Sequence, residues 1–187
     1  MLQQDPVMCA LSVMDANDPF CLLDQNGVSN YWADCKRKLE TEVIAGEAGL
    51  VRAREIVEGI KREAENSEYD CIIGLSGGVD SSYIAYWTHR LGLRPLAIHM
   101  DNGWNSELAV SNIEKIVRKL DIDLHTEVLD WPEFRDLQRS FLFAAVPNCE
   151  MPTDHAINAT LFRLAKKFKI RHIFSGSNVV TEGILQK

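Results

Sequence analysis

The chain has 187 residues, 46% of them hydrophobic, and a formal net charge of −7. That length suits one domain, or one domain with a small appendage, and the apolar content is ample for a core. The acidic balance, with a pI near 5.2, gives no long-range attraction for nucleic acid.

The N-terminus lacks a basic stretch followed by an apolar run, so no signal peptide is expected. No apolar run approaches the roughly eighteen residues of a membrane span. The five cysteines (Cys9, Cys21, Cys35, Cys71 and Cys149) are odd in number and form no C-x-x-C pair. Thiols in a reducing cytoplasm account for them more simply than a disulfide framework.

Taken in order, residues 1–35 read as an irregular segment. Asp15-Ala16-Asn17-Asp18-Pro19 and Asp24-Gln25-Asn26-Gly27 are turn signals. The short apolar pieces between them suit a small hairpin. Residues 36–66 read as helix within a connector over 36–68, because Leu50, Ala53, Ile56, Val57 and Ile60 form one stripe at helical spacing. Gly46 and Gly49 are expected to break or bend it, and its charged residues make a solvated face.

From residue 69 onward the chain alternates strand and helix. Strands are expected at 70–75, 95–100, 123–129 and 171–175. Helices are expected at 81–92, from Ser106 to Leu120, briefly from Pro132, and from Pro152 to Phe168. This alternation predicts an α/β fold, a parallel sheet with helices on both faces, whose ligands bind beyond the carboxyl ends of the strands.

The first strand runs directly into Ser76-Gly77-Gly78-Val79-Asp80-Ser81-Ser82. Strand, glycine turn and helix together aim backbone N–H groups at a phosphate. Glycine lets the backbone approach a ligand closely, and Asp80 and Ser81 suit a helix N-cap. No Gly-Lys pair occurs in the chain, which excludes the kinase-type P-loop. The glycine spacing excludes the G-x-G-x-x-G dinucleotide fingerprint.

Ser76-Gly77-Gly78-Val79-Asp80-Ser81 resembles the PP-loop, S-G-G-x-D-S, of the ATP pyrophosphatases with their adenine nucleotide alpha hydrolase-like fold. Those enzymes cleave ATP to AMP and pyrophosphate. Further stretches narrow the resemblance: His99-Met100-Asp101-Asn102-Gly103-Trp104-Asn105-Ser106-Glu107-Leu108, Pro152-Thr153-Asp154-His155-Ala156-Ile157, Gly176-Ser177-Asn178 and Thr181-Glu182-Gly183-Ile184. Together they look like the N-acetyl sugar amidotransferases of bacterial surface-polysaccharide (lipopolysaccharide, O-antigen) synthesis. The resemblance covers most of the chain, with 69–187 as the PP-loop domain.

That resemblance implies amidine formation on an N-acetylated, nucleotide-linked or free acidic amino sugar, with ATP and Mg²⁺ as cofactors. It implies a separate glutaminase subunit supplying ammonia, a cyclase-like subunit, and a cytoplasmic setting. It assigns the pyrophosphate to Ser76, Gly77, Gly78, Ser81 and Ser82, with Ser76 and Asp80 as the catalytic pair. Met100 and Asp101 would lie against adenine, and Gly176 and Ser177 near the ribose or α-phosphate. Mg²⁺ would be held by Asp80 and Glu182.

At other positions the residues leave alternatives open. Thr153 or Asp154 is either a helix cap or a substrate contact. His155 is structural or catalytic, and His99 reads as a packed strand residue. Trp104 either stacks on a base or sugar or packs in a core or interface.

The sequence departs from this family in two ways. The family carries a four-cysteine zinc ribbon near its N-terminus, whereas here the corresponding positions are Cys9, Ser12, Ser29 and Trp32. Serine and tryptophan do not replace zinc thiolates, so a degenerate ribbon without zinc is expected, with burial of Trp32 compensating. The family also continues past Lys187, so the C-terminal part is expected to be incomplete. Other pyrophosphatase chemistries remain as alternatives: amidation like that of NAD synthetase, or tRNA thiolation, for which Cys149 is the sole candidate near a later loop. A non-catalytic ATP-binding module is a further alternative.

Overall fold

The strand at Cys71–Gly74, β1, has Cys71, Ile72 and Ile73 fully buried. A computed structural model describes residues 7–177 and 182–184. The chain divides into two compact units, one of residues 1–52 with 177–187 and one of residues 53–176.

In the second unit β1 pairs in parallel with β2 (Pro95–Asp101) on one side and β4 (Ile173–Phe174) on the other, and β3 (Asp123–Val128) pairs with β2. The sheet order is β3-β2-β1-β4. The helices are α3 (Val79–Arg90), α4 (Glu107–Leu120), α5 (Trp131–Phe143) and α6 (Met151–Phe168), preceded by α2 (Gly46–Glu63), in which the boundary between the units falls.

Strand periodicity decides which helix covers which face. Ile72, Leu96 and Ile98 point to one side and meet Leu164 and Ala165 of α6. Ile73, Leu75 and Ala97 point to the other and meet Ala85 of α3 and Ile113 of α4. Cys71 and Leu93 are covered by Val57 and Ile60 of α2. The expected α/β architecture with helices on both faces is the observed one.

Several boundaries differ from the sequence expectation. The helix read over 36–66 is two helices. The first, α1 (Asn30–Thr41), starts earlier because Ser29 Oγ accepts the Trp32 amide, and the second restarts at Gly46, where φ is +66°. The helix expected at 81–92 runs from Val79 to Arg90. The fourth strand shortens to two residues at the sheet edge. The helix beginning near Pro132 is not short: it starts at Trp131, capped by Asp130 Oδ1 accepting the Glu133 amide, and runs 13 residues. Thr153 and Asp154 lie inside α6 rather than at its cap, which is Glu150.

At the amino end of β1, Asp70 is 3% exposed and accepts hydrogen bonds from the Arg94 amide (2.7 Å) and from Arg94 Nη2 (2.6 Å). Arg94 Nη2 also donates to the Ala64 carbonyl at 3.0 Å. This clasp ties the start of β1 to the start of β2. Half of the Arg94 side chain meets water, which discounts the charge attraction. The charge-assisted bonds to a buried carboxylate remain, so Asp70→Ala is expected to lower unfolding free energy by about 2–3 kcal/mol. A urea titration measures this, with Asp70→Asn falling between the two.

In the first unit, residues 7–29 form two small antiparallel loops, bridged at Met8–Asp15 and Leu23–Ser29. Tyr31, not Trp32, is the aromatic side chain buried here. Its hydroxyl donates to Asp18 Oδ2 at 2.8 Å, whereas Trp32 is half-buried. Buried Cys9 Sγ accepts the Ser29 amide at 3.2 Å and the Leu11 amide at 3.4 Å, and the Ser12 and Ser29 hydroxyls lie 3.5 Å apart.

Burial alone would raise the Cys9 thiol. The Ser12 and Ser29 hydroxyls and the Leu11 and Ser29 amides outweigh it and bring the thiol down to about 6. A thiol depressed in the folded state adds stability that is fully present above its unfolded value and is lost as pH falls through 6. The thermal midpoint of Cys9→Ala should therefore lie well below that of the parent at pH 9. The gap should narrow by pH 5.

Candidate functional site: a glycine loop at the carboxyl edge of the sheet

β1 leaves the sheet through Leu75, which is 2% exposed, into the Ser76-Gly77-Gly78 turn. The turn opens α3, whose N-cap is Gly78 with no side chain capping it. Asp80, expected to cap the helix, instead sits exposed in its first turn. The reason is that the Gly78 carbonyl already accepts the Ser82 amide (3.1 Å), so the helix begins two residues earlier. The first N–H groups of α3 consequently point out of the helix without an intrahelical acceptor, at the positive end of its dipole.

The serines brace the turn from within. Ser81 Oγ donates to the Gly78 carbonyl at 3.1 Å and also accepts the Ser76 amide at 3.3 Å, and the Ser76 and Ser81 hydroxyls are 3.2 Å apart. Ser82 Oγ donates to the same Gly78 carbonyl at 2.6 Å. Asn112 of α4 donates to the Gly77 carbonyl at 3.1 Å.

Gly77 has φ of +80°, and a Cβ there would overlap the Ala109 carbonyl oxygen and lie 2.9 Å from its carbon. No other residue fits, because the loop lies on the backbone of α4 and also needs the left-handed region. Under the loop, His99 is buried and its Nδ1 sits 3.1 Å from the Leu75 carbonyl. A carbonyl only accepts, so Nδ1 carries the hydrogen. His99 is the packed strand residue the sequence suggested, and it steadies the exit of β1.

The other expected residues divide between the two units. Gly176, just past β4, lies against the loop: a Cβ on it would sit 3.2 Å from the Asp80 carbonyl carbon and Cβ. Met100 and Asp101 close β2 on the same edge of the sheet. The Asp101 carboxylate is engaged within its own turn, where Oδ1 accepts the Gly103 amide (3.0 Å) and Asn105 Nδ2 (2.9 Å). Ser177 and Glu182 belong to the first unit and are exposed, and Asn178 and Thr181 fall outside the described residues.

His155 Nδ1 donates to the Met151 carbonyl one helical turn back at 2.9 Å, which fixes its tautomer. Cys149 is exposed between α5 and α6. Among the described residues no group of three or more His, Cys, Asp or Glu side chains is arranged to hold a metal ion. Among them, too, no helix is long and apolar enough to cross a membrane.

Sequence reasoning missed a cavity of about 520 Å³ between α5 and α6, lined mainly by Phe134, Leu137, Phe141, Met151, Pro152 and Ala156. It shares no residue with the glycine loop. The apolar positions at helical spacing on both helices were the available signal, but only the pairing of those helices creates the space.

Sheet order, loop and first-turn geometry define a PP-loop protein of the ATP pyrophosphatase superfamily. The chain belongs to the family described as queuosine biosynthesis protein QueC, whose model matches residues 70–180. No curated protein sequence matches it.

Among solved structures it is similar to glutamine-dependent NAD⁺ synthetase from Acinetobacter baumannii in complex with ADP. That match has TM-score 0.55 and 19% identity over 78% of this chain and 30% of that one. It is also similar to the NH₃-dependent NAD synthetase of Campylobacter jejuni subsp. jejuni (TM-score 0.48, 15% identity, 66% and 54% covered). The NMN synthetase of Francisella tularensis is a third such structure (TM-score 0.45, 18% identity, 63% and 50% covered). The chain thus spans about half the length of the latter two and less of the first.

The loop geometry yields a direct test. Gly77→Ala must displace α4 or the turn, so ATP affinity measured by calorimetry should fall at least tenfold. Gly74→Ala, where a Cβ meets nothing within 4 Å, should leave it within about twofold.

Proposed function

We propose that this chain is the ATP-using subunit of an AMP-forming amidotransferase acting on an N-acetylated amino sugar. The observation that carries the ATP part is the uncapped start of α3, set beside a loop whose Gly77 position excludes any side chain. An oxyanion-rich chain such as a triphosphate satisfies those N–H groups and the helix dipole together. The stretches from His99 to Leu108, Pro152 to Ile157, Gly176 to Asn178 and Thr181 to Ile184 support the sugar acceptor through their resemblance to that family.

In this reading Ser76, Gly77, Gly78, Ser81 and Ser82 hold the departing pyrophosphate by N–H and O–H donation. Asp80, exposed at the loop, offers an oxygen ligand for Mg²⁺ alongside phosphate oxygens, as that ion prefers. Glu182 is assigned the same role, Met100 and Asp101 the adenine, and Gly176 and Ser177 the ribose or α-phosphate.

The acetamido oxygen of the sugar bonds to the α-phosphorus and pyrophosphate leaves. Ammonia then adds to the activated carbon, and the oxygen departs on AMP, leaving an acetamidino group. The protein contributes position and charge neutralisation, which are the main sources of rate in transfers at phosphorus. Ammonia comes from a glutaminase subunit, a cyclase-like subunit accompanies it, and the setting is cytoplasmic.

The experiment mixes the chain with ATP, Mg²⁺, an ammonium salt and a panel of nucleotide-linked acetamido sugars, and follows AMP by mass. AMP should appear with one sugar and drop at least a hundredfold in Asp80→Ala. AMP that depends instead on a queuosine precursor would move the acceptor to the one named by the family. ATP binding unaltered by Asp80→Ala would remove the loop reading itself.

A further inference from the structure

The turn after β2 holds a tryptophan in the open. Trp104 is 65% exposed and Trp131, the first residue of α5, is 37% exposed. Their rings meet edge to face, centroids 5.3 Å apart at 78°.

Nothing about this arrangement is loose. The turn is tied by Asp101 to Gly103 and Asn105, and by Asn102 Oδ1 accepting the Trp104 amide at 3.1 Å. The Leu129 amide donates to the Asp101 carbonyl at 2.9 Å, fixing the strand end that leads to Trp131. Gly103, at φ +80°, has no room for a Cβ, which would lie 2.6 Å from the Trp131 ring. Trp104 Nε1 donates to Gln138 Oε1, and Gln138 Nε2 donates to the buried Thr153 hydroxyl at 3.4 Å. An indole oriented by backbone, ring and side chain yet left two-thirds open is organised for a ligand that covers it.

β1 and β2 are parallel neighbours, with Gly74 in register with Ile98. β2 therefore carries on to Asp101 past the end of β1, projecting roughly 10 Å further at ~3.3 Å per residue. Trp104 thus follows the carboxyl end of β2, on the same edge of the sheet as the glycine loop. Two rings at nearly a right angle form a corner. A planar base is best held between parallel faces, whereas a corner fits a puckered ring that offers C–H groups to one indole face. Gln138, with one N–H committed to Thr153, keeps its second as a donor for a hydroxyl or carbonyl.

We infer that Trp104 and Trp131, braced by Gln138, form the platform that binds the pyranose ring of the acceptor sugar. This rests on the sugar-acceptor reading above and adds the subsite that selects it.

The test is calorimetric titration without ATP, using UDP-N-acetylglucosamine, UDP-N-acetylglucosaminuronate and UDP, with ATP titrated separately. At least one sugar nucleotide should bind the parent chain. Its Kd should rise at least tenfold in Trp104→Ala, with Trp104→Phe within about threefold of the parent. Gln138→Leu, which frees the ring without deleting it, should raise Kd about three- to tenfold. UDP and ATP affinities should not change in any of these variants. Binding of no sugar nucleotide by the parent chain overturns the sugar-acceptor reading and the platform with it, whereas sugar-nucleotide binding with an unchanged Kd in Trp104→Ala, or with an equal loss for UDP alone, which would mark base stacking, overturns the platform alone. Failure of ATP to bind the parent chain would instead strike the PP-loop reading, which these sugar titrations do not use.

Discussion

β1 is paired on both edges and covered on both faces, and the second unit is arranged by that constraint. A strand with Cys71, Ile72 and Ile73 wholly out of water must be apolar on both sides and flanked by helices on each. Burial, reinforced by the Asp70 charge, pushes the Cys71 thiol up to about 12, so it behaves as a small apolar side chain. The polar requirements of the chain are displaced to the two ends of the strand. At one end they become the Asp70–Arg94 clasp, and at the other the Ser-Gly-Gly turn.

The turn is braced from within by its serines, and the first N–H groups of α3 have no intrahelical acceptor. Ser81 and Ser82 bond the Gly78 carbonyl, Ser76 and Ser81 bond each other, and Asn112 holds the Gly77 carbonyl. A loop organised before its ligand arrives loses little freedom on binding. The contact of Gly77 with α4 extends that order into the scaffold, so the donors stand on a sheet and two helices rather than on a flexible segment. The same edge carries the Trp104 turn, which is braced by Asx bonds, a glycine pressed against an aromatic ring, and, like the glycine loop, a polar side chain from a neighbouring helix.

The first unit solves a different problem. Small irregular segments ordinarily need a staple. Here the four positions that resemble zinc ligands carry one cysteine, two serines and a tryptophan, and the first three are joined by hydrogen bonds onto Cys9 Sγ and between hydroxyls. An acceptor sulfur takes the N–H groups that the turn exposes, while Asp18 and Tyr31 close the other side. The sequence pointed to Trp32 as the compensating residue. The neighbouring Tyr31 is the one buried, because Ser29 caps α1 and that cap sets which face of the helix turns inward.

The sequence by itself determined much of what has a local cause. The apolar run before Ser76, the Ser-Gly-Gly turn, the cap at Ser106 accepting the Ala109 amide, and the strand–helix alternation are written in spacing and residue type, and they specify a parallel sheet with a phosphate-suited loop. What only the tertiary structure decided depends on residues far apart in the chain. Gly77 tolerates no side chain because the loop is pressed onto the Ala109 backbone of α4. The cavity between α5 and α6 exists because those two helices pair. Trp104 finds Trp131, Gln138 and Thr153 only once β3 lies beside β2. Periodicity and caps act over a few residues, whereas these contacts form only when the sheet brings separate segments together.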